Sequence, residues 1–147
     1  MRGFTAAGLS GASPDDLVRL RIHGVTPEFI RGLTARRYTG LDADDLTRLR
    51  IHGASLEEID ALAAVGLRGL PVNELVRFRI HGVTPGFVRD LRALGFTTAD
   101  ADDFVRMRIH HVTPDFVRAA RADGVELRQP DDAVDLAIHG RRRARRR

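Results

Sequence analysis

Five histidines, His23, His52, His81, His110 and His139, stand 29 residues apart, and imidazole is the side chain best suited to metal ligation and proton transfer near neutral pH. Paired carboxylates keep the same period as Asp15-Asp16, Asp44-Asp45, Asp102-Asp103 and Asp131-Asp132, and so do Arg21, Arg50, Arg79 and Arg108. These residue types offer three chemistries: metal binding, acid–base catalysis and recognition of anions. Spacing argues against the first two. Equivalent side chains on stacked helices lie on the order of 10 Å apart, whereas zinc ligands must converge to about 2 Å from the metal. His110 and His111 are adjacent, but neighbours on a helix point in different directions. A histidine at a helix C-terminus is accounted for by the dipole and the terminal carbonyls. The acid pairs fall where helices begin, and the dipole explains them there as well. Acid–base catalysis needs two carboxylates in unlike environments, and an array gives its copies similar ones. With Ser10, Ser13 and Ser55 the only serines and no cysteine, the reading is a non-enzyme with no metal and no cofactor.

The elements that carry these residues are repeated. Arg-Ile-His-Gly-Val-Thr-Pro occupies 21–27 and again 79–85; residues 108–114 repeat it with one change and 50–55 with relaxed chemistry. A fixed period of this length without insertions marks a repeat array. Each unit reads as two short helices. Ser13, Pro14, Asp15 and Asp16 open the first, and it stops at Gly24, which tolerates a left-handed closing conformation. Thr26, Pro27 and Glu28 open the second, which ends in later copies at Gly66, Gly95 and Gly124. Phe87, Val88, Leu91 and Leu94 form one clean stripe on the second helix. On the first, Leu17, Val18, Leu20 and Ile22 spread over an arc of roughly 200°, as for a helix wedged between neighbours. Asp15–Arg19, Asp44–Arg48 and Asp102–Arg106 are i, i+4 pairs. Gly8-Leu9 matches Gly66-Leu67 in phase, so residues 1–12 read as the end of a preceding unit.

Two positions depart from the pattern. His111 replaces the turn glycine of Gly24, Gly53, Gly82 and Gly140, which predicts a slightly strained turn. In the second copy Glu58 replaces Phe29, Phe87 and Phe116, and Leu56 replaces proline. The stripe Leu56, Ile59, Leu62 and Ala63 predicts that this helix is rotated slightly about its axis, or else that Glu57, Glu58 and Asp60 form a binding notch.

The formal net charge of +4 belongs to the C-terminus. All 24 basic residues are arginine, and without Arg141, Arg142, Arg143, Arg145, Arg146 and Arg147 the body holds 18 against 20 acids. Residues 1–140 therefore read as the repeat domain and 141–147 as a disordered basic tail. No apolar run is long enough for a membrane span, and Met1–Ser13 does not read as a secretion signal. The expected setting is the cytoplasm, with no membrane partner.

Arg21, Arg50, Arg79 and Arg108 project near the middle of the apolar arc, and only Ala137 abandons the placement. A guanidinium there needs carboxylates or carbonyl oxygens, since an unpaired buried charge costs several kcal/mol. Two readings stand: an internal ladder from copy to copy, or a row of arginines that binds an acidic or phosphorylated partner.

The segment from Ile22 to Leu33 resembles the helix-hairpin-helix motif of DNA-repair and recombination proteins. Ile22, Gly24, Val25, Pro27 and Leu33 match its apolar–Gly–apolar–Gly–Pro turn, as do Ile80, Gly82, Val83, Pro85 and Leu91. The resemblance implies phosphate binding by turn and helix amides. It would involve Gly24, Thr26, Gly82, Thr84 and Thr113, together with the tail arginines. Thr26, Ser55, Thr84 or Thr113 replaces the motif's second glycine, and Glu28, Gly86 or Asp115 stands at the position after proline, which is typically basic. A wider pattern, His-Gly-Val-Thr-Pro-Glu-Phe-Ile followed by Leu33 and by Gly-aromatic as in Gly95-Phe96, is similar to repeats that follow bacterial antibiotic-sensor-type membrane zinc peptidases. That likeness implies a bacterial helical interaction module. The peptidase's own zinc motif is absent from the sequence.

These observations describe an all-α, short-helix solenoid of about five 29-residue helix-turn-helix repeats. The expected function is a non-catalytic scaffold for a protein partner. The alternative is nucleic-acid binding through the hairpin turns and the basic tail.

Overall fold

The structure is a computed structural model that describes the backbone of residues 2–144 and the side chains of residues 2–140. The described residues are all-helical, with no strand. The helices are α1 (Arg2–Ala6), α2 (Pro14–Ile22), α3 (Pro27–Ala35), α4 (Ala43–Ile51), α5 (Leu56–Ala64), α6 (Val72–His81), α7 (Pro85–Ala93), α8 (Ala101–Ile109), α9 (Pro114–Ala122) and α10 (Pro130–Ala144). The chain forms two compact units, Met1–Arg79 and Ile80–Arg147.

Local chemistry fixes the helix ends. Ser13, Asp42 and Asp100 cap α2, α4 and α8, and each closes a reciprocal box with the second acid of its pair, Asp16, Asp45 or Asp103. Thr26, Ser55, Thr84 and Thr113 cap α3, α5, α7 and α9, each hydroxyl accepting from the backbone N–H three residues on. At the C-termini the chain closes through paired amide bonds. In α2, Gly24 N–H donates to Arg21 and Val25 N–H to Leu20. In α7, Gly95 N–H donates to Arg92 and Phe96 N–H to Leu91. His23, His52 and His110 are the residues that end their helices, so imidazole stands at the negative end of the dipole.

This closing geometry needs positive φ. Gly24, Gly53 and Gly82 have φ of 71°, 72° and 71°, and His111 is forced to 57° at the equivalent position. A second exception, Arg37 at 67°, takes the position held elsewhere by Gly8, Gly66, Gly95 and Gly124. Left-handed backbone strains residues that carry a Cβ. Gly82→Ala is therefore expected to cost about 1 kcal/mol, and His111→Gly to be neutral or stabilising. Denaturant melts of the two variants check this, and an unchanged Gly82→Ala would overturn the turn assignment.

Packing joins like with like inside each unit. In the first, α1 packs on α3, α3 on α5, and α2 on α4; in the second, α7 packs on α9 and α8 on α10. α1 lies on α3, with Phe4, Ala7 and Leu9 buried. Leu20, Leu49, Phe78 and Met107 on the first helices are buried, as are Leu33, Leu62 and Leu91 on the second.

Three expectations are corrected. The apolar arc of the first helix stops short of Ile22, which is exposed, and Val18 is exposed too. In later copies Thr47, Val76 and Val105 fill the position of Val18 and are buried. The α5 helix is not rotated: Ile59 and Leu62 are buried, as are their equivalents Ile30 and Leu33. Leu56 seats against Gly32, which has no side chain to displace it. Finally, α10 does not stop at Gly140 but runs on to Ala144, so the segment after Gly140 begins as helix. The remainder of the expected disordered tail, 145–147, lies outside the described residues.

Candidate functional site

The recurring arginines reach from one copy back to the copy before. The guanidinium of Arg50 lies 5.0 Å from the centroid of the Phe29 ring, and that of Arg108 lies 5.1 Å from the Phe87 centroid. Each also stands over the preceding turn, at Gly24 and Gly82 respectively. Arg79 meets Glu58 where the other copies have phenylalanine, and it exchanges the ring for an ion pair at 3.4 Å. Its Nε also donates to the carbonyl of His52 at 2.9 Å, capping the end of α4. A cation over an aromatic face and a cation beside a carboxylate are two solutions to one problem, the placement of a guanidinium against a helix hairpin. The Phe-to-Glu change is thus compensated by Arg79 itself. Arg21 is exposed and has no such partner among the described residues. At the other end, Ala137 is buried in the arginine's place, and half-buried Phe116 instead lines an open cleft with Val125 and Leu136.

A second arginine series runs along the outer side of the first helices. Arg19 pairs with Asp16 at 2.9 Å and with Asp44 of the next copy at 2.7 Å. Arg48 donates to Asn73 at 2.8 Å, and Arg106 pairs with Asp131 at 2.8 Å. Arg19 therefore finds Asp16 and Asp44 rather than Asp15, and Arg48 finds Asn73 rather than Asp44. The acids differ in setting. Hydrogen bonds from Ser13 hold the Asp16 carboxyl below its ordinary value near 3.8, whereas burial pushes Asp103 above it. Among the described residues, no group of three His, Cys, Asp or Glu side chains converges as a metal site.

Two features escaped the sequence reading. The first is a set of exposed isoleucines at one repeat position: Ile22 (74% exposed) and Ile51 (56%) in the first unit, Ile80 (58%) and Ile109 (46%) in the second. Their recurrence was visible, but a core role explained it equally well. The second is the cleft in the first unit, about 790 Å³, between the loop after α3 and the loop before α6. Arg36, Arg37, Tyr38, Asp60, Arg68 and Leu70 are among its lining residues. Arg36 grips Asp60 through two hydrogen bonds of 2.7 Å, which lower the carboxyl's pKa and raise that of the guanidinium. The Tyr38 hydroxyl donates to the Leu70 carbonyl at 2.7 Å, and burial raises its pKa. The irregular sequence Arg36-Arg37-Tyr38 in a glycine position was the available signal.

No protein-family model, curated protein or solved structure matches this chain.

Thr26, Thr84 and Thr113, named for phosphate binding, are the N-caps of α3, α7 and α9. The hydroxyls of Thr26, Thr84 and Thr113 accept from Phe29, Phe87 and Phe116 N–H, each at 3.1 Å. Glu28 and Asp115 stand beside these turns in ion pairs with Arg31 and Arg118. No helix among the described residues is long and apolar enough to cross a membrane.

Proposed function

We propose that this chain is a non-catalytic short-helix solenoid of about five 29-residue helix-turn-helix repeats, and that it binds a protein partner along the repeated surface of its first helices. The observation that carries this reading is the isoleucine exposed at one position in copy after copy: Ile22, Ile51, Ile80 and Ile109. Single exposed apolar residues are ordinary on protein surfaces. Here one β-branched residue returns at a fixed position, while a repeat position on the second helix varies as Glu28, Glu57, Gly86 and Asp115. Folding does not require an isoleucine in solvent, and a partner that covers it supplies a reason. Arg21, which has no partner of its own among the described residues, extends that surface with a cation. Arg50, Arg79 and Arg108 serve it indirectly by holding each hairpin against the last.

Replacing Ile51 and Ile109 with Glu places one charge in each compact unit. The double variant is expected to melt within about 1 kcal/mol of the parent, as surface changes do, yet to lose a partner captured by the parent from its source cells. Retention of every captured protein by a folded double variant would refute the surface.

The nucleic-acid reading draws support from the tail arginines rather than from the hairpins. The body holds 18 arginines against 20 acids, and carboxylates flank the turns where a phosphate would sit.

A further inference from the structure

The cleft between the loop after α3 and the loop before α6 has no part in the isoleucine surface. Its chemistry is that of a binding site. Three arginines and one aspartate line it, which leaves a formal charge of +2. Arg36 and Asp60 satisfy each other. Arg37 and Arg68 are exposed, and their side chains have no hydrogen-bond or ion-pair partner among the described residues. Leu41, Ile59, Leu70 and Val72 supply apolar wall, beside Tyr38 and Thr39. Concave surfaces with low-dielectric walls focus the field of such charges. At about 790 Å³ the cleft falls within the size range of small-molecule sites, roughly 300–1,000 Å³.

Arg37 adds an argument from the backbone. It sits at φ 67° in a helix-closing position that is glycine in four other copies. Its amide makes the same closing bond, to Thr34 at 2.9 Å, as Gly66 makes to Ala63. Folding alone favours glycine at this place, so the arginine costs stability without a side-chain hydrogen bond or ion pair in return among the described residues. Strain kept at the rim of a cavity is a recurrent mark of a functional position.

We propose that this cleft binds an oxyanion, a carboxylate or a phosphate, carried on an apolar body. Arg37 and Arg68 hold the head group through charge-assisted hydrogen bonds. The walls formed by Leu41, Ile59, Leu70 and Val72 take the apolar part. The bond from the Tyr38 hydroxyl to Leu70 ties the two loops together across the site.

Amide chemical-shift titrations of the full chain at low salt test this with four probes: phenyl phosphate, benzoate, inorganic phosphate and benzyl alcohol. Phenyl phosphate or benzoate is expected to shift the amides of Tyr38, Gly40 and Gly69 saturably, and the tighter of the two identifies the head group. Arg37→Gly should raise the denaturation midpoint and weaken binding roughly tenfold or more, as loss of a charge-assisted bond implies. Arg68→Ala should weaken binding similarly with the fold unchanged. The proposal falls if neither aromatic anion shifts these amides, or if both variants bind as the parent does. Equal binding of benzyl alcohol would remove the role of charge, and equal binding of inorganic phosphate would remove that of the apolar walls; either result overturns the site as described.

Discussion

Phe104→Ala is expected to remove about 3–5 kcal/mol of unfolding free energy, the range for truncating a large buried aromatic. Phe104 is fully buried on α8, and the guanidinium of Arg92 lies 5.6 Å from its ring centroid. Truncation both opens a cavity and removes the surface on which that cation rests. Single domains are stable by only about 5–15 kcal/mol, so the loss should be visible as a large fall in the denaturation midpoint. Ile109→Ala is the matched control, five residues along the same helix. Ile109 is nearly half exposed, and its truncation should cost under about 1 kcal/mol. Equal losses from the two variants would mean that α8 faces its neighbours by a different side.

Truncation after Gly140 is expected to abolish measurable affinity for duplex DNA while leaving the melt close to that of the full chain. Ala133, Val134 and Ala137, which bury α10, all precede the cut. The full chain should bind DNA without sequence preference and lose on the order of a thousandfold in affinity between 50 and 200 mM salt, because six arginines act by counterion release. Fluorescence anisotropy with labelled duplex at these two salt concentrations measures both effects. Tight binding by the truncated body would favour the hairpin turns as the phosphate site and displace the protein-scaffold reading. Weakening by changes at Thr26, Thr84 and Thr113 would then follow.

The division between what was legible and what was not follows the range of the forces involved. Helix starts at Pro14, Pro27, Pro85 and Pro114 and left-handed closures at Gly24, Gly53 and Gly82 were readable, because a cap or a positive φ is decided within a few residues. The two-helix unit and its period followed from the same signals. The partners of Arg50, Arg79 and Arg108 were not readable, since ring, carboxylate and carbonyl were all chemically acceptable and lay a whole copy away. The exposure of Ile22, Ile51, Ile80 and Ile109 was equally hidden, because an isoleucine on the edge of a wide apolar arc fits core and surface alike. The same holds for the α3–α6 cleft, whose two loops are about thirty residues apart in the chain. By itself the amino-acid sequence determined where each helix begins, where it ends and how often the pattern returns, for those are local balances of hydrogen bonds and backbone strain. Tertiary structure alone decided which apolar side chains leave the water and which cations keep their charge unspent, for burial and pairing depend on what the next copy brings into contact.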